Sequence, residues 1–249
     1  MGAEVRYHKL KPENGYLPDI EELASQIDSK TKMITLSNPN NPTGAYIPED
    51  MLKEICRLAR KNGAYVVSDE VYRGLKEEYM ASVVDLYEKG IATSSTSKVF
   101  SMAGARVGWV VAAEKSTHDR LENRRSYDII CNGVFDEWIT AIAFEHYEKI
   151  LARARGIVEE SRAMLEKWLP TQPLLSSFNK SYGTTMLLSY DIDRPSAELC
   201  DDMVMKSGVL CCHGDCFDMP NTFRLGYGFG EPKKFQDGLE KMAEYLKQY

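Results

Sequence analysis

Residues 94–109, SSTSKVFSMAGARVGW, set one lysine, Lys98, in a run of small hydroxyl side chains and follow it with an arginine, Arg106, directly ahead of an apolar segment. Residues 91–96 and 106–113 (RVGWVVAA) have the composition of short strands. Lys98 is therefore expected just beyond the carboxyl end of one strand and before the start of the next.

Working outward, two more short strands are expected upstream, at residues 32–37 (KMITLS) and 64–68 (AYVVS). Between them Pro48 opens a helix that carries Met51, Leu52, Ile55, Leu58 and Ala59 on one face and ends at Gly63. Strands separated by helical stretches need crossovers, which predicts an α/β fold: a mostly parallel sheet with helices on both faces. From about residue 132 to 169 the pattern is helical. Strands then follow at 184–190, 209–212 and 222–227, with a helix from Pro195 and a terminal helix, which predicts a smaller α+β domain. The boundary is expected near residue 150, inside helical sequence, giving domains 1–150 and 151–249 with a rigid connection.

Composition narrows the function classes. The 249 residues are 43% hydrophobic and 27% charged, enough for a substantial core. A net charge of −6 and a pI near 5.4 argue against a nucleic-acid or anionic-membrane partner, so small molecules are expected. The chain lacks an apolar run of bilayer-spanning length and a recognisable signal peptide, so a cytoplasmic location is expected. Six dispersed cysteines in a chain of this size are expected as reduced thiols.

Ligands of an open parallel sheet bind beyond the carboxyl ends of its strands. Three such ends are polar: NPNNPTG (38–44), DEVY (69–72), and Ser97 with Lys98. If the strands are neighbours, Asn41, Asp69, Tyr72 and Lys98 converge on one pocket. There an amine stands beside a carboxylate, a phenol and an amide, while Ser95, Ser97 and Arg106 could hold an anion.

NPNNPTG, SDEVYRGL, SSTSKVFSMAGARVGW and FRLGYG, in this order and at these intervals, resemble the fold-type I, pyridoxal-phosphate-dependent aminotransferases of class I/II, over essentially the whole chain. The resemblance implies pyridoxal 5′-phosphate as cofactor, with residues 1–150 as the large-domain part that carries its site. It implies an amino acid and a 2-oxo acid as substrates, taken in turn by a ping-pong mechanism. Lys98 would form the Schiff base with the cofactor aldehyde and then move the substrate proton; Asp69 would pair with the pyridine nitrogen. Tyr72 and Asn41 would bond the ring's phenolic oxygen, Val71 would pack on the ring, and Ser95, Ser97 and Arg106 would hold the phosphate. Arg224 of FRLGYG would bind the substrate α-carboxylate, with Asn41 beside it. Arg73, Arg124 and Arg125 are unassigned candidates for a second acidic group.

Each residue alone has an ordinary alternative: Asp69 a helix cap, NPNNPTG turn chemistry, the arginines surface ion pairs. The same fold also serves lyases, decarboxylases and oxidases, and a non-catalytic fragment is a further alternative. CCHGDC (211–216) lacks the second ligand pair of a zinc site, so no metal is expected. Residues 1–18, with NGYLPD, resemble a segment well inside a full-length member. The Gly-rich phosphate loop, the ring-stacking aromatic and the arm to a partner subunit are thus expected outside this chain. The full-length form is expected to be a homodimer, and the isolated chain poorly soluble or oligomeric, with weak cofactor affinity.

Overall fold

A computed structural model describes residues 2–228 and 230–249. They fall into two compact units, one of residues 2–39 and Tyr46–Leu151, the other of Asn40–Ala45 and Ala152–Tyr249.

In the first unit β1 (Met33–Ser37), β2 (Tyr65–Asp69), β3 (Gly90–Ser95) and β4 (Gly108–Ala112) lie side by side in chain order. The β1–β2 and β2–β3 pairs are parallel, and β4 closes the edge antiparallel to β3, with Gly108 opposite Ser95. A parallel pair needs a crossover, and α2 (Glu49–Asn62) supplies the first. Its N-terminus carries Glu49 and Asp50, which suit the positive end of the helix dipole. Gly63 stops it in the left-handed conformation, with its N–H on the carbonyls of Ala59 and Arg60. Between these ends Leu52, Ile55, Cys56, Leu58 and Ala59 are buried. They share a core with Leu23 of α1 (Ile20–Gln26), Val66, Ala92, and Val83 of α3 (Val83–Leu86). Val66 and Ser68 are fully buried while Tyr65 and Val67, which alternate with them, are half-buried, the period of two expected of a strand with one face under helices.

Helical structure begins earlier than residue 132: α4 (Lys115–Asp128) precedes α5 (Val134–Glu145) and α6 (Tyr147–Trp168). Only Thr117 of α4 is buried, so the helix has no apolar stripe to betray it in the sequence.

The second unit has an antiparallel sheet in the order β5 (Leu175–Ser176), β6 (Thr185–Tyr190), β8 (Thr222–Gly226), β7 (Cys212–His213). The central strand β6 is buried at every residue but Ser189, and Leu187, Leu188 and Phe223 have no exposed surface. Helices α7 (Ser196–Ser207) and α8 (Pro232–Leu246) turn Leu199, Met203, Leu239 and Met242 into this core. Among the described residues no helix is long and apolar enough to cross a membrane.

Candidate active site

Beyond the parallel strands, the ends of β1, β2 and β3 stand in register: Ser37 is opposite Asp69, and Asp69 opposite Thr93. The two consecutive acids of DEVY then part company. Asp69 is exposed; its Oδ1 accepts from the Val71 N–H (3.1 Å), and among the described residues Oδ2 has no partner. Glu70 is buried and accepts from the Ser82 hydroxyl and the Val83 N–H, both at 3.0 Å, where it fastens the start of α3. Tyr72 is buried and Val71 half-buried.

Burial pushes the Glu70 carboxyl above its ordinary value, against the opposing pull of the Val83 and Ser82 hydrogen bonds and of Arg73. The folded state therefore holds the Glu70 proton more tightly than the unfolded chain. This contribution favours folding most at low pH and is lost as pH rises from the ordinary carboxylate value through the raised one. Glu70→Gln keeps an acceptor and removes the buried charge, so it is expected to be near neutral at pH 7 and to flatten that pH dependence. Glu70→Ala leaves the Ser82 and Val83 donors unpaired and is expected to cost about 2–3 kcal/mol. Urea melts of both variants from pH 4 to 8 decide it: equal destabilisation would mean that a neutral acceptor of the same shape contributes nothing and that the carboxyl group itself is required.

The turn that carries Lys98 is built on Thr96, which has no exposed surface. Its N–H donates to the Val107 carbonyl (3.0 Å), its carbonyl accepts from Met102 N–H (3.0 Å), and its hydroxyl is shared between the carbonyls of Val107 (3.1 Å) and Met102 (3.3 Å). Residues 97–106 are thus looped out from one buried threonine. Phe100 anchors the loop in edge-to-face contact with Trp109 (6.2 Å) and Phe144 (5.3 Å). Lys98 itself is exposed, and its carbonyl accepts from Ser101 N–H (3.0 Å). Ser95 Oγ accepts from Ser97 N–H (3.3 Å), so these two stay together. Arg106 is exposed, adopts a left-handed backbone (φ 52°) and donates from Nη1 to the Ala103 carbonyl (2.9 Å). Thr96 was passed over in the sequence; the period of two running from buried Ala92 is the signal that points to it.

Asn41 belongs with the second unit. There the Pro42 carbonyl accepts from the Thr185 hydroxyl (3.4 Å), the Thr43 carbonyl from the Asn179 amide (3.1 Å), and the Gly44 carbonyl from Tyr182 N–H (2.8 Å). Gly44 has φ 72°, and a Cβ on it would collide with the Ser181 hydroxyl. In this setting Arg224 of β8 donates from Nη1 to Asn41 Oδ1 at 2.8 Å and lies over the Phe217 ring, 5.2 Å from its centroid. Among the described residues the other donors of Arg224 have no partner, which leaves the guanidinium able to fork a carboxylate. Of the remaining arginines, Arg73 is engaged: it donates to the Met80 carbonyl (2.6 Å), faces Glu70 at 3.8 Å and covers the Tyr79 ring. Arg124 pairs with Asp128 (3.6 Å) on α4, and Arg125 is exposed on the same helix.

An exposed carboxylate, Asp69, and an exposed amine, Lys98, thus stand beyond the ends of two adjacent parallel strands, with Ser97 and Arg106 in the same loop as the amine. The chain belongs to the aminotransferase class I and II family, whose model matches residues 1–241, and pyridoxal 5′-phosphate is the cofactor of that family. It is similar to the crystal structure of a PLP-dependent aminotransferase from Streptococcus suis, with a TM-score of 0.96 and 39% identity over 100% of this chain and 66% of that one. It also resembles Thermus thermophilus aspartate aminotransferase with maleate (TM-score 0.87, 26% identity, 95% of this chain and 63% of that one). Among curated proteins it is 23% identical to capreomycidine synthase of Streptomyces vinaceus over 98% of this chain and 63% of that protein. It is 27% identical to the aspartate/prephenate aminotransferase of Thermus thermophilus, over 98% of this chain and 64% of that protein. The chain thus spans somewhat under two thirds of the length of the proteins it matches.

Proposed function

We propose that this chain carries the reacting groups of a pyridoxal-phosphate-dependent aminotransferase, which moves an amino group from an amino acid to a 2-oxo acid in two ping-pong halves. The observation that carries this reading is the placement of Asp69 and the Lys98 turn beyond two adjacent parallel strands, one an exposed carboxylate with a free oxygen, the other an exposed amine. The donor set fits the cofactor: an amine for its aldehyde, a carboxylate for its ring nitrogen, and the hydroxyls of Ser95 and Ser97 with the Arg106 guanidinium for its phosphate.

When bound, pyridoxal phosphate supplies an electron sink for the pair released at the substrate α-carbon. Lys98 holds the aldehyde in the resting state and afterwards takes and returns the α-carbon proton at Nζ. Asp69 would hold a proton on the ring nitrogen, and Tyr72 would donate to the phenolic oxygen. Arg224, steadied by Asn41, grips the α-carboxylate and so orients the bond to be broken.

Protein loaded with pyridoxal phosphate and given an amino acid alone should release one equivalent of 2-oxo acid per cofactor and stop until a second 2-oxo acid is added. Continuous release of ammonia or carbon dioxide would instead assign a lyase or a decarboxylase. Arg224→Ala is expected to lower kcat/KM by about 2–4 kcal/mol, chiefly through KM, because a charge-assisted fork is lost. Arg106→Ala should instead weaken cofactor retention, read by equilibrium dialysis. One shared defect in both variants would refute this division of roles.

A further inference from the structure

Ser181 and Tyr227 have no role in the reaction as proposed, yet both are buried without exposed surface. The Tyr227 hydroxyl lies 2.7 Å from Ser181 Oγ and 2.8 Å from the Gly183 carbonyl. Ser181 donates its own proton to the Thr185 carbonyl (2.6 Å), which leaves Oγ to accept from the Tyr227 O–H and from Gly183 N–H (3.3 Å). Their main chains are fixed as well: Tyr227 N–H donates to the Thr184 carbonyl (2.8 Å), and the Ser181 carbonyl accepts from Nη1 of Arg162 on α6 (3.3 Å). Burial pushes the Tyr227 phenol up to about 12, against the opposing pull of the Ser181 hydrogen bond, so the group remains a donor at neutral pH. A buried polar network whose members are paired in this way is rigid.

The loop that carries Asn41 rests on this network. A Cβ on Gly44 would strike the Ser181 side chain and the Thr185 carbonyl, so the Gly44 backbone lies directly against them. The Thr185 hydroxyl reaches the Pro42 carbonyl (3.4 Å), and Tyr182 N–H reaches the Gly44 carbonyl (2.8 Å). Within the loop Asn40 N–H donates to the Ala45 carbonyl and Gly44 N–H to the Asn40 carbonyl, both at 2.8 Å, so it shifts only as one piece. Asn41, the residue before Pro42, then accepts from Arg224 Nη1 at 2.8 Å. The contacts close a ring. It runs from Arg224 along the main chain to Tyr227, through the hydroxyls to Ser181, across to residues 42–44, and back through Asn41 Oδ1 to the guanidinium. All of these residues belong to the second unit.

We propose that Ser181 and Tyr227 are positioning residues for Arg224: they set where the Asn41 loop sits, and Asn41 Oδ1 in turn aims the guanidinium. Being buried, they act through the loop and not on the substrate. A long arginine side chain loses rotamer freedom when it grips a ligand, and that loss weakens binding. Holding Nη1 on Asn41 and the ring of Phe217 under the guanidinium removes much of this freedom beforehand. The remaining donors are then aimed before the carboxylate arrives. The benefit to substrate binding rests on the proposed role of Arg224; the aiming itself does not.

The test uses the full 249-residue chain in two measurements. In the first, without cofactor or substrate, limiting phenylglyoxal modifies arginines and tryptic mapping reads the rate at each. Asn41→Ala, which removes the acceptor of Nη1, gives the rate of an unheld Arg224. Tyr227→Phe and Ser181→Ala should move Arg224 toward that rate, by about twofold or more, while the exposed Arg125 keeps its own. Ser181→Ala is the second variant because it leaves the Tyr227 hydroxyl on the Gly183 carbonyl. In the second measurement, protein loaded with pyridoxal phosphate is titrated calorimetrically with 2-oxoglutarate, which finds no amino group to take there. Tyr227→Phe should weaken binding about fivefold, the worth of one neutral hydrogen bond. In the Asn41→Ala background the same substitution should add little, because the route through Asn41 is already cut. An Arg224 modification rate unchanged in both Tyr227→Phe and Ser181→Ala would overturn the proposal, as would a Tyr227→Phe effect on binding that is undiminished in Asn41→Ala. Binding insensitive to Arg224→Ala would overturn the role of Arg224, and the modification rates would still decide the positioning.

Discussion

Lys98→Ala is expected to reduce turnover by about 10⁴-fold, the largest effect of any single substitution in this chain. Lys98 is the one lysine between residues 97 and 106, the turn that Thr96 loops out beyond β3. In the proposed function, removing Nζ would take away both the group that holds the cofactor aldehyde at rest and the base that carries the α-carbon proton. The contacts proposed for Ser95, Ser97, Arg106 and Arg224 would remain, so binding should survive while chemistry stops. Borohydride treatment of the loaded wild-type protein followed by peptide mapping should find the cofactor fixed on Lys98. Recovery on Lys115, which pairs with Asp119 at 2.7 Å on α4, would displace the assignment. A methylamine rescue of Lys98→Ala would show that the missing function is an amine and not a fold.

Asp69→Ala is expected to cost about 10³-fold in kcat, comparable to removing a preorganised charge-stabilising group from an active site. A carboxylate beside the ring nitrogen favours the protonated ring, and the protonated ring is the better acceptor of the electron pair from the α-carbon. Because Asp69 Oδ1 also accepts from Val71 N–H at 3.1 Å, the alanine variant changes the loop as well as the charge. Asp69→Asn separates the two: it retains an acceptor for Val71 and loses the charge. Both variants should therefore be slow, and both should unfold at nearly the wild-type temperature. An asparagine variant as fast as wild type would mean that Asp69 serves the turn and that the ring nitrogen is held elsewhere.

Much of the scaffold was legible from local chemistry. The apolar face of α2, the Pro48 and Gly63 that bound it, and the short β-branched strands are all properties of neighbouring residues, and the structure places β1, β2 and β3 within a residue or two of expectation. The polar strand ends were legible for the same reason, since DEVY and SSTSK break an apolar run abruptly. Helix α4 was not, because nearly all of its residues face solvent and leave no periodic trace. The strand expected at 209–212 is instead Cys212–His213, paired with Arg224 and Phe223 of β8, and the tight turn at Gly214, crowded by Met219 and Thr222 from later in the chain, ends it.

Sequence alone determined the strands β1 to β3, the helix α2 with its apolar face and the residue types that cap the strands, since propensity, patterning and turn chemistry act over a few neighbouring residues. Only the tertiary structure decided how those residues are sorted. DEVY presents two adjacent acids, and their alternation says that they face apart but not which way each faces. The packing of α3 against β3 brought Ser82 and Val83 to Glu70 and left Asp69 open. NPNNPTG follows β1, yet Asn41 is held in the second unit against Arg224, 183 positions away, by contacts to Asn179, Tyr182 and Thr185. Strand pairing and burial act between residues distant in the chain, so each such partnership exists only once its own unit has folded.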